Sequence, residues 1–180
     1  MKTVALYGGS FDPPHIAHEA IVKALREEDF IDEVVVMPTF LNPFKSEFTA
    51  PAPLRLRWLR EIFHDCENVK VSSFEVDLGK KTPSIETVEY LLQSYEKVYL
   101  VIGADNLATL NAWHRFEELK EKVTFIVATR AGLEVPKNYI KLIIDENVSS
   151  SQLRKNMDAK KLPKRNAAEI KQYYKENNAK

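Results

Sequence analysis

Two histidines three residues apart, His15 and His18, stand at the predicted start of a helix, directly after a glycine-rich turn. Residues 7–18 read YGGSFDPPHIAH and follow the first apolar run of the chain. Gly8 and Gly9 let the backbone turn sharply and approach a ligand closely, and the free N–H groups at a helix N-terminus favour anions. Histidines on one face of this first turn can donate hydrogen bonds to phosphate oxygens. The stretch therefore predicts a phosphate site.

The histidine pair also admits two other interpretations. One is a metal pair, although no third ligand of a suitable kind lies nearby in the sequence. The other is structural capping of the helix, for which Asp12 is a further candidate. The stretch is neither the G-x-G-x-x-G dinucleotide fingerprint nor a P-loop, so a hydride-transfer enzyme and a P-loop ATPase are both disfavoured.

The elements that must position these residues are predicted by short apolar runs that alternate with segments of helical spacing. Several runs are continuous, as expected for strands buried on both faces of a parallel sheet. Strands are predicted at 3–8, 33–38, 69–76, 97–103, 122–128 and 139–144. Helices are predicted at 17–27, 52–63, 84–94, 112–120, 149–156 and 165–177.

This alternation predicts an α/β fold, a single Rossmann-like open parallel sheet of five to six strands with helices on both faces. We expect one domain over 1–180 that includes the C-terminal helical segment 149–177. In such a sheet ligands bind beyond the carboxyl ends of the strands, where residues 7–18 are expected. The long connection 39–52 is a candidate functional lid.

Bulk composition excludes several classes of function. Lys plus Arg and Asp plus Glu both total 26, so the zero net charge gives no general attraction to nucleic acid or to a membrane surface. No apolar stretch approaches the ~20 residues that a membrane helix needs. Cys66 is the only cysteine, which excludes an internal disulfide and a cysteine-rich zinc site and indicates the cytoplasm. The oligomeric state stays open, with a homodimer as one option.

Five collinear blocks carry a family resemblance. The segment GGSFDPPHIAH resembles the signature G-G-[ST]-F-D-P-x-H-x-G-H of bacterial nicotinate-nucleotide adenylyltransferases, members of the nucleotidyltransferase superfamily marked by [HT]-x-G-H. VSSSQLR (148–154) is similar to the superfamily motif I-S-[ST]-T-x-x-R. MPTFLNPFK is similar to the family's P-x-x-x-P-P-H-K loop, VIGADNLATLNAWHRFEEL to its I-G-x-D…W block, and ATRAG to its R-x-G turn.

The resemblance implies that ATP and nicotinate mononucleotide are converted to deamido-NAD and pyrophosphate, a step of NAD biosynthesis. The 5′-phosphate of the mononucleotide would attack the α-phosphorus of ATP directly and in line, so that catalysis rests on positioning and charge stabilisation. Mg²⁺ is the implied cofactor, bound mainly through the ATP phosphates and not at a metal site of the protein.

The site residues are implied by position in the matched blocks. The catalytic set is His15, His18, Lys45 and Arg154. The ATP-binding set is Gly8, Gly9, Ser10, Phe11, Gly103, Asp105, Ser149 and Ser151. The set for the mononucleotide is Thr39, Ser84, Thr87, Trp113 and Arg130. In these sets Asp105 would accept from a ribose hydroxyl, Trp113 would stack on the pyridine ring, and the 84–87 turn would offer N–H groups to the nicotinate carboxylate.

Each of these roles has a structural alternative. Asp105 could be the N-cap of the next helix, Trp113 a half-buried core aromatic, and Ser149 a plain helix cap. The sequence also departs from the family pattern, with Ala17 between the histidines in place of glycine and Phe44 in place of the loop histidine. Residues 85–86 read IE where the family has Tyr-Thr, so the preference for the acceptor is left open.

Three alternative functions therefore stay in consideration. The acceptor could be nicotinamide mononucleotide, or it could be phosphopantetheine, although the phosphopantetheine family usually has threonine where this chain has His15. From a different class, the chain could be a nucleotide-binding module without catalytic activity. Retention of both histidines, Lys45 and Arg154 argues against that last reading.

Overall fold

A computed structural model describes residues 1–130 and 132–177 and contains a six-stranded sheet with every strand pair parallel. The strands are β1 (Thr3–Gly9), β2 (Glu33–Pro38), β3 (Val69–Val71), β4 (Lys97–Gly103), β5 (Val123–Thr129) and β6 (Ile140–Ile143). They lie in the order β3-β2-β1-β4-β5-β6. The predicted Rossmann-like open parallel sheet is confirmed.

Seven α-helices connect and flank these strands in the described part of the chain. They are α1 (Ile16–Arg26), α2 (Ala52–Ile62), α3 (Phe74–Leu78), α4 (Ser84–Leu91), α5 (Phe116–Lys122), α6 (Ser150–Lys155) and α7 (Ala167–Asn177). One-turn 3-10 helices occur at Ala104–Asn106, Leu110–Ala112 and Ala159–Lys161. Within residues 1–130 and 132–177, every helix is too short or too polar to cross a bilayer.

The two central strands determine where a ligand can bind. β1 pairs with β2 on one side and with β4 on the other, so that Leu6 lies opposite both Val35 and Leu100. The chain winds outward in opposite directions from this pair, and such a reversal of strand order opens a crevice at the carboxyl ends of the strands. The glycine-rich turn after β1 lies at that crevice.

Apolar residues of the strands pack into two hydrophobic cores, one on each face of the sheet. Ala5 and Tyr7 of β1 pack with Val22 and Leu25 of α1. Val4 and Leu6 of the same strand pack on the other face with residues of α4 and α5. Because successive strand residues point to opposite faces, a continuous apolar run serves both cores. A third cluster joins Trp58 of α2 to the C-terminal helices.

Two predicted elements were wrong in extent. The strand predicted at 69–76 ends at Val71, because the Ser72 hydroxyl accepts from the Phe74 N–H and turns the chain into α3. The helix predicted at 112–120 begins only at Phe116. Arg115 precedes it with a φ of 53°, held there by ion pairs to Glu89 and Glu118.

Candidate active site

The glycine-rich turn leaves β1 at the centre of the sheet. The Gly9 carbonyl accepts from the Thr39 N–H at 3.0 Å, which joins the turn to the residue that follows β2. Phe11 has a φ of 50° and is buried, and a β-carbon at Gly9 would lie 3.3 Å from its ring. The close packing of this ring explains the second glycine, and the turn delivers the chain to α1.

His15 and His18 lie at the start of α1 and stack on each other. Their ring centroids are 3.6 Å apart with an interplanar angle of 19°. His15 is the N-cap residue, and its N–H donates to His18 Nδ1 at 3.0 Å. An imidazole that accepts at Nδ1 carries its proton on Nε2, so neutral His18 is a donor through Nε2. One nitrogen of His18 therefore stabilises the start of the helix, and the other, Nε2, is a donor for a ligand.

Burial sets the charge of both imidazoles. It lowers the pKa of His15 to about 4. It also lowers the pKa of His18 well below the usual range, and the proximity of His15 lowers it further. His15 Nδ1 is buried and has no hydrogen-bond partner among the described residues. Around neutral pH the pair is uncharged and offers hydrogen bonds, which suits contact with phosphate oxygens.

Asp12 does not cap α1, and that interpretation of the sequence is wrong. Its carboxylate instead accepts from the N–H groups of Thr49 and Ala50, at 2.7 and 2.9 Å, and from the hydroxyl of Tyr174. The side chain is buried. Asp12 thereby ties the glycine-rich turn to the end of the long connection and to α7, since Tyr174 belongs to that helix.

Two cationic residues predicted from distant motifs approach this turn. Lys45 Nζ lies 3.4 Å from Ser10 Oγ, and Arg154 Nη1 donates to the Asp12 carbonyl at 2.7 Å. Burial lowers the pKa of Lys45, and the positive charge of Arg154 lowers it further. The two contacts place both cations beside the turn, where an anionic ligand would relieve their repulsion.

The serine-rich segment docks α6 onto the same turn. Ser149 is the N-cap and accepts from the Gln152 N–H, as the capping alternative predicted, and Ser151 Oγ lies 3.3 Å from its hydroxyl. Ser150, which the sequence analysis did not select, donates to the Pro13 carbonyl at 2.8 Å. The segment 148–154 therefore holds Arg154 against the glycine-rich turn through direct contacts.

A second group of predicted residues follows β4. Asp105 is exposed inside the one-turn helix Ala104–Asn106, so the structural alternative that it is an N-cap does not hold. A β-carbon at Gly103 would lie 2.5 Å from Asp105 Oδ1, which links these two predicted residues. Trp113 packs partly against the core, and its ring centroid lies 6.4 Å from that of exposed Phe44. The structure thus brings the loop aromatic to the tryptophan.

The remaining residues predicted for the mononucleotide are more dispersed. Thr87 is fully buried and its hydroxyl donates to Glu75 Oε2 at 2.7 Å, so its side chain does not face a ligand, and the predicted contact through backbone N–H groups of residues 84–87 stays a prediction. Burial raises the pKa of Glu75 to about 7. Ser84 is the first residue of α4, and Arg130 is exposed after β5.

Thr39 and the R-x-G turn are the last of the predicted features. Thr39 is buried at the end of β2, and its hydroxyl has no partner among the described residues. The predicted R-x-G turn includes residue 131, which lies outside the described residues.

One residue that contacts the turn was missed altogether. Arg55 of α2 is 1% exposed, and its guanidinium donates only to backbone carbonyls, among them Ser10 and Thr39 at 2.7 and 2.8 Å. Two other arginines, Arg57 and Arg60, lie nearby in the same helix and are exposed. Helical spacing does distinguish them: Arg55 lies three, four and seven positions before the apolar residues Trp58, Leu59 and Ile62, whereas the two exposed arginines fall on the opposite face of the helix.

Comparison with known proteins finds a family model and named relatives that match most or all of the chain. A family model described as cytidylyltransferase-like matches residues 6–156. A Sulfurimonas denitrificans protein named "Probable nicotinate-nucleotide adenylyltransferase" is 57% identical over 180 residues, which cover 100% of this chain and 99% of the relative. A Campylobacter fetus protein of the same name is 42% identical over 178 residues and 98% of each chain.

Among solved structures, the fold is similar to that of Plasmodium falciparum nicotinic acid mononucleotide adenylyltransferase complexed with NaAD. The TM-score is 0.77, the alignment covers 99% of this chain and 97% of the other, and 20% of the residues are identical. At this identity the likeness concerns the fold.

Proposed function

The chain belongs to the nicotinate-nucleotide adenylyltransferases of the cytidylyltransferase-like family, and we propose on this basis that it joins ATP and nicotinate mononucleotide to give deamido-NAD and pyrophosphate. The observation that carries the proposal is the convergence of four side chains from three distant segments on one turn. The stacked pair of His15 and His18, Lys45 from the long connection and Arg154 from α6 all lie at the carboxyl end of β1.

The proposed reaction is a single displacement. A 5′-phosphate oxygen of the mononucleotide forms a bond to the α-phosphorus of ATP, and the bond from that phosphorus to the bridging oxygen of the β-phosphate breaks. The electron pair leaves with pyrophosphate. The protein contributes alignment of the two reactants and donors for the charge that develops on the phosphoryl oxygens.

We assign the donors by their chemistry. Neutral His18 donates through Nε2, since its Nδ1 is occupied by the His15 N–H. Lys45 and Arg154 supply positive charge for the departing β- and γ-phosphates. Gly8, Gly9, Ser10 and Phe11 would form the floor of the ATP site, with Ser149 and Ser151 opposite. Gly103 and Asp105 would meet the ribose.

The acceptor would lie on the β4 side of the crevice. Trp113 would stack on the pyridine ring, and the start of α4 at Ser84 would offer N–H groups to the nicotinate carboxylate. Arg130, which follows β5, would complete this side, whereas Thr39 follows β2 and would approach the acceptor from the other side of β1. In this arrangement Thr87 acts only through the helix backbone, because its hydroxyl is bonded to Glu75.

Mg²⁺ is proposed as part of the substrate complex. The described residues contain no group of three His, Cys, Asp or Glu side chains that could hold a metal ion. A Mg²⁺ ion would therefore be held by ATP phosphates and water, as this ion commonly is, and would neutralise phosphate charge. The single-domain organisation, a cytoplasmic location and a homodimer stay predictions.

An acceptor panel tests the proposal. The purified protein is incubated with ATP and Mg²⁺, and pyrophosphate release is measured with nicotinate mononucleotide, nicotinamide mononucleotide or phosphopantetheine. We expect the specificity constant kcat/KM to be at least about tenfold higher for nicotinate mononucleotide, because both charged oxygens of a carboxylate accept from N–H groups, whereas the amide presents an NH2 donor in place of one of them. Preference for either other acceptor would contradict the proposal. ATP binding without pyrophosphate release would instead indicate a non-catalytic module.

A further inference from the structure

Arg55 makes an unusual set of hydrogen bonds for a buried cation. Its side chain donates from Nε to the Ala50 carbonyl at 2.7 Å and from Nη2 to the Phe40 carbonyl at 2.9 Å. Nη1 donates to the carbonyls of Ser10 and Thr39. Four of the five N–H groups of the guanidinium are thus used, and all four acceptors are backbone oxygens.

The four carbonyls belong to parts of the chain that the proposed reaction must hold together. Ser10 is in the glycine-rich turn. Thr39 and Phe40 open the long connection after β2, and Ala50 lies near its other end, just before α2. One side chain therefore closes the base of the connection that carries Lys45 and fastens that base to the turn at Ser10.

A second buried group reinforces the same junction from the other side. The Asp12 carboxylate accepts from the N–H groups of Thr49 and Ala50. Ala50 is thus held by its N–H through Asp12 and by its carbonyl through Arg55. The Phe48 ring covers the guanidinium, with 5.7 Å between the ring centroid and Arg55 Cζ. The junction is fixed from several directions by two buried charged groups, Arg55 and Asp12, and by the partly exposed Phe48 ring.

We propose that Arg55 is a positioning residue for the adenylyl transfer, which acts by fixing Lys45 relative to the glycine-rich turn. The inference rests on the proposed function. Lys45 contacts the Ser10 hydroxyl, and Arg55 donates to the Ser10 carbonyl. Arg55 therefore holds both the base of the connection that carries Lys45 and the residue that Lys45 contacts. A lysine at position 55 could keep the positive charge, but its single nitrogen has three donors and lacks the planar fork that reaches carbonyls on opposite sides.

A double-mutant cycle separates positioning from general stability. In the wild-type protein we expect Lys45→Ala to lower kcat on the order of 100-fold, because a charged donor to the leaving group is lost. We expect Arg55→Lys to lower kcat by about 30-fold, since Lys45 is then misplaced. In the Arg55→Lys background, Lys45→Ala should cost less than about threefold.

Arg57→Lys is the matched control. Arg57 lies in the same helix and undergoes the same change, but it is exposed and pairs with Glu61 and Glu169, so the substitution does not touch the four carbonyls. In this background Lys45→Ala should keep its full effect of roughly 100-fold. Arg55→Gln, which keeps two N–H donors, is measured in parallel in case Arg55→Lys does not fold.

A readout independent of activity follows the junction itself. Hydrogen exchange at the Thr49 and Ala50 amides should accelerate by about tenfold or more in Arg55→Lys and stay close to wild type in Arg57→Lys. Full additivity of the Arg55 and Lys45 substitutions, or unchanged exchange at these amides, would overturn the inference. An inactive wild-type protein would overturn the proposed function instead, while the exchange experiment would still test the junction.

Discussion

The two ends of the parallel sheet differ in how completely their buried polar atoms are hydrogen-bonded. At the amino end, the Glu33 carboxylate at the start of β2 accepts from Lys2 at 3.0 Å, Lys70 at 3.2 Å and Tyr95 at 2.6 Å. At the carboxyl end, Asp12 and Arg55 are also hydrogen-bonded, but four other buried side-chain atoms have no partner among the described residues. They are His15 Nδ1, Thr39 Oγ1, Trp113 Nε1 and Thr129 Oγ1.

This difference separates stabilisation from function. Buried polar groups are normally hydrogen-bonded, and leaving one unpaired costs about 1 to 3 kcal/mol. The saturated Glu33 cluster has the pattern of a group that holds the fold together. The four unpaired atoms at the carboxyl end have the pattern of a surface arranged for a ligand, which would supply the missing hydrogen-bond partners. Substitutions at the two ends should therefore affect different observables.

The largest expected effect is on catalysis at the carboxyl end. Replacement of His18 by Ala should lower kcat by roughly 1000-fold, because it removes the Nε2 donor beside the reacting phosphate. Unfolding should still be cooperative. The matched control is His64→Ala, at an exposed histidine outside the site, which should leave kcat within about twofold. Retention of wild-type kcat by His18→Ala would remove the phosphate role from the pair.

A smaller effect is expected from pH, in different windows at the two ends. The Tyr95 hydrogen bond and the two lysines lower the pKa of Glu33 to about 2, from an ordinary value of 4.5. Its contribution to stability is therefore complete above pH 4.5 and is lost as the pH falls toward 2. Because Lys2 and Lys70 are mostly exposed, we expect about 1 to 2 kcal/mol.

The carboxyl end should respond at higher pH. His15 has a pKa of about 4 in the folded protein and an ordinary value of 6.5, so the unfolded chain binds a proton that the folded protein does not. Stability should thus fall as the pH drops from 6.5 toward 4, by about 2 kcal/mol. Urea unfolding from pH 8 to pH 3 checks both windows: Glu33→Gln should reduce the slope only in the lower one, and His15→Gln only in the upper one, where His18 contributes with the same sign and leaves part of the slope. A reversed assignment would contradict the comparison.

The smallest effect is expected beside Asp105. A methyl group at position 103 would meet Asp105 Oδ1, so Gly103→Ala should displace this exposed carboxylate with little loss of stability. We expect KM for ATP to rise by about fivefold with kcat nearly unchanged, because a ground-state ribose contact is weakened. Asp105→Asn gives the comparison, and a Gly103→Ala protein with unaltered KM would argue against the ribose contact.

The fold was predictable because its signals are local. Continuous apolar runs and helical spacing predict strands and helices from neighbouring residues alone, and the alternation leaves few topologies for the sheet. The error at 69–76 arises because a serine hydroxyl turns the chain after Val71, and the error at 112–120 arises because the helix starts only after an arginine in the left-handed conformation. Neither feature changes the apolar pattern that the prediction uses.

The candidate site was predictable only in part. His15, His18, Lys45 and Arg154 belong to recognisable motifs, and the structure brings them to one turn. The supporting contacts are not encoded locally, because Asp12 and Tyr174 are 162 positions apart. Helical spacing places Arg55 on the apolar face of α2 and Arg57 on the opposite face, but it does not reveal which carbonyls the tertiary fold directs at the buried guanidinium.

The stereochemistry of the transfer tests the central claim most directly. ATP carrying sulfur at the α-phosphorus, as a single diastereomer, is converted with nicotinate mononucleotide, and the configuration at phosphorus in the dinucleotide is determined. A single in-line displacement, in which the protein only aligns and stabilises the reactants, predicts inversion. Retention of configuration would require a covalent adenylyl intermediate and would contradict the account.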